Sequence, residues 1–169
     1  MSSHVSIATL LNDLGKYDEA IGHLTRAIQL NPKKPEPRIY EQLAQAMIRT
    51  GRINEALAAY EKACQLEPEN DFPLNNLAWY LATYDDDRVR NPAKALVLAK
   101  RADELTKHKN PGVMDTLAAA YAANGDFDKA VEITSQAMNL CGSAEAEPLR
   151  KELESRLVLY ENGKAYIDK

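Results

Sequence analysis

The sequence GRINEALAAYEKACQLEP, residues 51–68, contains the pattern from which the architecture of the chain can be inferred. Apolar residues recur along it every three or four positions, which is the spacing of one face of an α-helix. A glycine precedes this helix and a proline follows it, and both residue types commonly flank helices. The small residues Ala56, Ala59 and Ala63 would let a second helix approach closely. The stretch therefore predicts an amphipathic helix packed against a neighbouring helix.

The same spacing recurs along the whole chain. Four pairs of alanines are seven residues apart: Ala20 and Ala27, Ala56 and Ala63, Ala95 and Ala102, and Ala130 and Ala137. Three of these pairs follow a glycine, at Gly15, Gly51 or Gly125. A glycine at that point lets the backbone turn between two antiparallel helices. The third pair instead follows an insertion within TYDDDRVRNP, residues 83–92.

These residues resemble the tetratricopeptide repeat, a helix-turn-helix unit of about 34 residues. The second unit matches most fully, at Tyr40, Leu43, Ala44, Met47, Gly51, Ile53, Ala56, Tyr60, Ala63 and Pro68. The resemblance implies an all-α, right-handed superhelix of four repeats and a C-terminal capping helix, forming a single domain over residues 1–169. We place the repeats at about 1–34, 37–70, 71–109 and 111–144, and the capping helix at about 145–161.

Local signals predict where the helices begin and how the two ends behave. Helices should resume at or near Pro37, Pro73, Pro92 and Pro111. Leu149, Leu153, Leu157 and Tyr160 occupy one face of the capping helix, with Glu, Lys and Arg on the other. The residues after Tyr160 are expected to fray, although Tyr166 and Ile167 could fold back on the capping helix.

The first helix is apolar on more than one face, through Val5, Ile7, Ala8, Leu10, Leu11 and Leu14. Val5 and Leu10 are the candidates for self-association. Three explanations remain open. An upstream repeat could have been removed, a second molecule could cover this edge, or the two side chains could simply be exposed.

Composition excludes several classes of function. The net charge of -4 is spread along the chain, whereas nucleic-acid binding needs a basic stripe, so no nucleic-acid partner is expected. No apolar run reaches the roughly 20 residues of a membrane span. The N-terminus lacks the features of a secretory signal, which predicts a soluble, cytoplasmic protein unless the chain is a fragment.

No group of residues suggests catalysis, a metal site or a cofactor site. We assign His4, His23 and His108 to different repeats, and none of them has metal-ligand spacing to a cysteine. The acidic run at residues 85–87 lacks the frame of a calcium loop, so a solvated loop paired with Arg88 and Arg90 is expected. The sequence therefore predicts a non-enzymatic protein with no cofactor.

In the tetratricopeptide repeat family the first helix of each repeat lines a concave groove. The resemblance therefore implies a partner-binding set here: Arg38, Glu41, Gln45, Arg49, Asn75, Asn76, Trp79 and Asp115. Trp79, with Arg49 and the two asparagines, has the composition of an interface hot spot. The alternative for Trp79 is that it packs over the insertion in the third repeat.

The resulting hypothesis is a protein-protein interaction scaffold that binds a peptide or helix of a partner in its groove. Two alternatives remain. The chain could form a homo-oligomer through Val5 and Leu10 of the first helix, or it could be a regulatory or scaffold segment of a larger protein. The third and fourth repeats resemble those common in bacterial proteins of this family, which suggests a bacterial source.

Overall fold

A computed structural model describes residues 2–31 and 36–168. Within these ranges the fold is all-α, as predicted, and consists of helical repeats. The helices are α1 (Ser2–Asp13), α2 (Tyr17–Leu30), α3 (Pro37–Arg49), α4 (Ile53–Leu66), α5 (Asp71–Thr83), α6 (Pro92–Leu105), α7 (Pro111–Ala123), α8 (Phe127–Leu140) and α9 (Glu147–Glu161). The predicted end of the first repeat, near residue 34, lies outside the described residues.

The chain divides into two compact units, Met1–Glu69 and Asn70–Lys169. The first unit contains the helix pairs α1 with α2 and α3 with α4. The second contains the pairs α5 with α6 and α7 with α8, followed by α9. This boundary lies one residue before the predicted boundary between the second and third repeats, and the assignment of all 169 residues to a single domain stays a prediction.

Helix starts follow the prolines and asparagines of the sequence. The helices α3, α6 and α7 begin at a proline, while α5 begins at Asp71 and has Pro73 in its first turn. Three of these helices are capped by an asparagine side chain that accepts a hydrogen bond from a backbone N–H of the first turn: Asn70, Asn91 and Asn110. Such caps satisfy donors that the helix itself leaves without a partner.

Three of the turns inside the helix pairs share one geometry. At Gly51 the backbone has φ of 74°, a left-handed conformation that strains any residue with a Cβ. The N–H of Arg52 donates to the carbonyl of Met47 at 2.8 Å, and the N–H of Gly51 donates to that of Ile48 at 3.0 Å. This double hydrogen bond is the Schellman motif, and it recurs at Gly15 and Gly125. The glycines therefore set the direction of the second helix in these three pairs.

The paired alanines form the helix crossings. All eight are fully buried, and so are the alanines on the preceding helices: Ala8, Ala44, Ala78 and Ala118. An alanine on each helix of a pair lets the two backbones approach closely, because neither side chain extends beyond Cβ. The repeated alanines of the sequence are therefore packing residues at the helix crossings, which confirms the prediction that they let helices approach closely.

Overpacking one of these crossings should lower thermal stability. Ala56 is 0% exposed and Ala59 is 7% exposed on the same helix, α4. We expect Ala56→Leu to lower the melting temperature more than Ala59→Leu, because inserted methylenes in a packed core cost about 1 to 3 kcal/mol. Thermal unfolding followed by circular dichroism measures both variants, and an equal or reversed order would contradict this helix register.

The third pair is built differently, because α5 ends without a turn glycine. Tyr84 follows Thr83 in an extended conformation, with φ of -61° and ψ of 141°. The acidic loop after it forms the expected ion pairs, Asp86 with Arg88 and Asp87 with Arg90. Arg88 lowers the pKa of Asp86 to about 2 by hydrogen bonding to its carboxylate. The loop is therefore a local, charged connection, as the sequence predicted.

The capping helix α9 follows a 3-10 turn at Ala144–Ala146, close to the predicted range. Leu153 and Tyr160 are buried against α7 and α8, as expected for this face. The prediction that arginine lies only on the outer face is wrong for Arg156, which is 7% exposed. Arg156 turns inward because its position, four residues before Tyr160, lies on the buried stripe.

The prediction that the chain frays after Tyr160 is also wrong. Residues 165–168 are half-buried, and Ala165 and Tyr166 pack against the cluster of Tyr160 and its neighbours. The alternative expectation, that Tyr166 and Ile167 fold back, is closer to the structure. The segment does not fray because it contacts α5, a helix that is far away in the sequence.

Candidate functional site

Trp79 of α5 lies at the centre of the candidate site, and its neighbours come from the other end of the second unit. Its indole Nε1 donates a hydrogen bond to Oδ2 of Asp168 at 3.2 Å. Its ring lies 5.7 Å from the ring of Tyr166, centroid to centroid. The guanidinium of Arg156 lies 5.0 Å from the Trp79 ring and 4.7 Å from the Tyr166 ring. Two aromatic rings and one cation therefore pack together.

The position of Arg156 is fixed by two carboxylates. Its Nη1 donates to Oδ2 of Asp115 on α7 at 2.7 Å, and its Nη2 donates to Glu152 on α9 at 3.0 Å. Asp115 is 5% exposed, so this pair is buried. Burial lowers the pKa of Arg156, but Asp115, Glu152 and Tyr166 together raise it above its ordinary value. Arg156 is therefore a charged group held in one orientation beside Trp79.

Burial shifts the pKa values of the groups behind this cluster. The pKa of Asp115 is raised to about 6, because removal from water outweighs the favourable charge of Arg156, and the charge of Glu152 adds to the rise. The pKa of the Tyr160 hydroxyl is also raised, by burial first and then by Asp115. Protonation of Asp115 near neutral pH would weaken the charge pair that holds Arg156.

The titration of Asp115 gives a testable pH dependence. Its ordinary pKa is 3.8, and the folded value is about 6. Burial of Asp115 in its neutral form therefore contributes to the free energy of unfolding below about pH 3.8. This contribution, at most about 3 kcal/mol, is lost as the pH rises through 6. Relative to Asp115→Asn, the wild type should lose stability between about pH 4 and 7. Carbon-13 NMR of the carboxyl group measures the pKa, and a value below about 4 would contradict the assignment.

The backbone of the segment 164–168 is held at the end of α5. The N–H of Asp168 donates to the carbonyl of Thr83 at 2.8 Å, and Asp168 pairs with Tyr84 as an isolated parallel β-bridge. The last carbonyls of a helix have no partner within the helix. At the other pairs the glycine turn covers the end of the first helix, whereas at α5 the insertion leaves the Thr83 carbonyl accessible to this segment.

The segment 164–168 reaches α5 because of a fourth glycine turn. Gly163 has φ of 65° and ends α9, with the N–H of Lys164 donating to the carbonyl of Leu159 at 2.9 Å. This is the same Schellman motif that closes the turns inside the repeats. The turn reverses the chain after α9 and directs the following residues along the surface.

A cleft of about 570 Å³ lies beside these residues. Its lining comes from α5, α9 and the segment 164–168: Trp79, Glu152, Ser155, Arg156, Leu159, Tyr166 and Asp168. The cleft combines aromatic surface with a cation and with carboxylates. Such a surface suits a polypeptide segment better than a small apolar molecule.

The other residues of the predicted set lie in varied surroundings. In the second unit, Asn75 and Asn76 are half-buried, and the Asn76 amide donates to the carbonyl of Phe72 in its own helix. Asp115 is buried beneath the surface and acts on it through Arg156. Only Trp79 and Asp115 of the predicted set belong to the cluster described above.

In the first unit the predicted residues lie along α3. Arg38, Gln45 and Arg49 are exposed, and Glu41 is half-exposed. Arg49 lines a cleft of about 470 Å³ with the turn after α1 and the first residues of α2. Partner binding by these four residues stays a prediction.

Sequence reasoning missed three residues of the cluster: Arg156, Tyr166 and Asp168. For Arg156 a signal existed, because it lies on the apolar stripe of α9 while Asp115 is an isolated acid in the apolar helix α7. Two opposite charges on buried faces indicate a buried pair. For Tyr166 and Asp168 the local sequence gives no such signal.

The first helix carries exposed apolar side chains, as the sequence indicated. Leu10 is 63% exposed and Leu14, just after the helix, is 73% exposed, whereas Val5 is half-buried. His4 and His23 contact each other through their Nδ1 atoms at 2.9 Å, so assigning them to different repeats was wrong. Both belong to the first helix pair.

Two other kinds of site are absent from residues 2–31 and 36–168. No three His, Cys, Asp or Glu side chains there are grouped so as to hold a metal ion. No helix in that part of the chain is both long enough and apolar enough to cross a membrane.

Comparison with known proteins identifies the family. Sequence profiles described as tetratricopeptide repeat match residues 11–71 and 111–134, which together amount to half of the chain. The helix pairs, turn glycines and buried alanines described above agree with this repeat. The chain therefore belongs to the tetratricopeptide repeat family. Proteins of this family generally mediate protein-protein interactions.

The similar curated proteins are much longer than this chain. Superkiller protein 3 of Schizosaccharomyces pombe is 26% identical over 145 residues, which cover 82% of this chain and 10% of that protein. Small glutamine-rich tetratricopeptide repeat-containing protein 2 of Mycosarcoma maydis is 31% identical over 71 residues, which cover 42% of this chain and 20% of that protein. The chain thus matches at most a fifth of the length of either relative.

Solved structures show the same fold. A thermophilic TPR protein of Thermus thermophilus has a TM-score of 0.66 at 23% identity, covering 91% of this chain and 81% of that chain. MamA of Desulfovibrio magneticus has a TM-score of 0.72 at 15% identity, covering 96% of this chain and 88% of that chain.

Proposed function

We propose that this protein is a non-enzymatic scaffold that binds a peptide or helix of a partner protein on the first helices of its repeats. The observation that carries the proposal is the segment 164–168, a non-helical stretch of polypeptide held on α5 by side chains and backbone together. A surface that holds one such segment has the donors, acceptors and aromatic area to hold another. The proposed contact residues are Asn75, Asn76 and Trp79 in the second unit and, separately, Arg49 in the first unit.

A library of displayed peptides, each roughly a dozen residues long, tests this proposal. Peptides selected on the wild-type protein should bind the double variant Trp79→Ala, Arg49→Ala at least about tenfold more weakly, because removal of a hot-spot residue costs about 2 kcal/mol or more. The two single variants assign the binding to one unit. Val97→Ala is the control, since Val97 is 69% exposed on a second helix, α6.

If the selected peptides bind the double variant and the wild type equally, the proposal that partners bind in the groove is wrong. Circular dichroism of each variant establishes that its helical content is unchanged. The same measurement separates a lost binding surface from a lost fold.

A second candidate function is self-association through α1. The exposed Leu10 and Leu14 favour it, because neighbouring apolar side chains form a patch that another protein surface can cover. Light scattering over a range of concentrations should then show a dimer or larger assembly that Leu10→Glu dissociates. A monomer at the highest concentration would contradict this candidate.

The greater length of the curated relatives is compatible with a third role, as a scaffold segment within a larger protein. In that case this chain would bind the partner for a larger protein that contains other domains. The isolated chain would bind the partner in the same way whether or not it belongs to such a protein.

A further inference from the structure

We propose that residues 164–168 are an internal ligand of the α5 and α9 surface, and that the partner segment carries an aromatic residue followed two positions later by a carboxylate. The inference rests on the proposed function and specifies the chemistry of its ligand. The partner must displace the internal segment in order to bind.

The spacing of the two recognised side chains follows from their contacts. Tyr166 and Asp168 both contact Trp79, and Asp168 pairs with Tyr84 as an isolated parallel β-bridge. In β-type backbone the side chains of residues i and i+2 lie on the same side. We therefore expect the partner to carry its two recognised side chains two positions apart.

Each of the two side chains is recognised by a different group. The Tyr166 ring packs against the guanidinium of Arg156 and the ring of Trp79. The Asp168 carboxylate accepts a hydrogen bond from the Trp79 indole, which is a donor only. A charged acceptor makes the stronger bond, so a carboxylate is favoured over an amide.

The backbone contact supplies affinity without selecting a sequence. The N–H of Asp168 donates to the Thr83 carbonyl, and the N–H of most other residues would do the same. This contact exists because the insertion after α5 leaves an extended residue, Tyr84, where the other repeats have a turn. The third repeat is therefore adapted to receive an extended segment.

The tether determines how strongly the internal segment competes. A short connection through Gly163 gives an effective concentration in the millimolar range. Suppose that the internal segment and a free peptide each bind with an intrinsic dissociation constant of about 0.1 mM. An effective concentration of the internal segment of about 1 mM then lowers the apparent affinity of the free peptide roughly tenfold. Removal of the internal contacts should restore that affinity.

The single tryptophan of the chain makes the test direct. The indole N–H signal of Trp79 in a proton-nitrogen NMR spectrum reports on this site alone. The probe is the synthetic peptide NGKAYIDK, residues 162–169, added to the wild type and to the double variant Tyr166→Ala, Asp168→Ala. We expect the indole signal to shift in the variant and to return on addition of the peptide, with affinity at least about tenfold higher than for the wild type.

Two controls define the specificity of that result. Glu161→Ala changes an exposed residue at the end of α9, outside the segment 164–168, and it should leave the indole signal and the peptide affinity unchanged. A peptide with alanine in place of its Tyr and Asp should bind the double variant at least about tenfold more weakly than NGKAYIDK.

Equal affinity of NGKAYIDK for the wild type and the double variant would overturn the internal-ligand proposal. So would equal affinity of the double variant for the native and the alanine-substituted peptides. Either result is distinguishable from failure of the proposed function, because library peptides that depend on Trp79 or Arg49 would still establish binding on the groove. If the binding of library peptides did not depend on Trp79 or Arg49, the proposed function would be wrong.

Discussion

Replacing Arg156 by alanine is expected to destabilise the second unit by about 3 to 5 kcal/mol. The substitution leaves the Asp115 carboxylate buried and without its 2.7 Å partner, and an uncompensated buried charge is strongly unfavourable. The cost should fall as the pH is lowered through the range in which Asp115 becomes protonated, because a neutral carboxyl group tolerates burial better. Urea unfolding followed by circular dichroism, repeated at several pH values, measures the change.

Two control variants separate the effect of the buried pair from loss of the side chain alone. Glu152→Ala removes the exposed partner of Arg156 and should cost no more than about 1 kcal/mol. The double variant Asp115→Leu, Arg156→Met removes both buried charges and should recover most of the loss, since apolar replacements of buried pairs are often neutral. If Arg156→Ala costs no more than Glu152→Ala, the buried pair is not the source of stability.

The second large effect is expected for Leu153→Ala, at about 2 to 5 kcal/mol. Leu153 is fully buried in α9 and packs against Met114, Ala137 and Cys141 of α7, α8 and the residue after α8. Removing its methyl groups leaves a cavity in the layer that joins the capping helix to the last repeat. Hydrogen exchange of the α9 amides measures the loss, because these amides should exchange faster than those of α3 and α4.

Val158 provides the matched control for this prediction, since it lies on the same helix and is 57% exposed. Val158→Ala should change the free energy of unfolding by less than about 0.5 kcal/mol. Similar exchange rates in the two variants would mean that α9 is not held by its apolar face. Loosening of α9 should also shift the Trp79 indole signal, because the segment 164–168 is connected directly to α9.

The repeats could be predicted from the sequence because the information that defines them is local. A turn glycine such as Gly51 acts within a few residues, through hydrogen bonds that its turn makes to Met47 and Ile48. An N-cap asparagine such as Asn91 acts within the first turn of its helix. Alanines at fixed spacing mark each crossing, so one well-preserved repeat was enough to identify the others.

The candidate site could not be predicted in the same way, because its contacts join distant parts of the chain. Arg156 and Asp115 are 41 residues apart, and Trp79 and Asp168 are 89 residues apart. No periodicity connects such positions. The sequence offered two explanations for Trp79, partner binding or packing over the insertion, and neither included the segment that covers it.

The turn at Gly163 also links the number of helices in the array to access to Trp79. Because it has the geometry of the turns inside the repeats, a helix-forming sequence placed after it should continue as the second helix of a fifth repeat. The same replacement would withdraw Tyr166 and Asp168 from α5. Replacing the residues after Gly163 with a helix-forming sequence would therefore add a helix and uncover the aromatic surface of α5 in a single structural change.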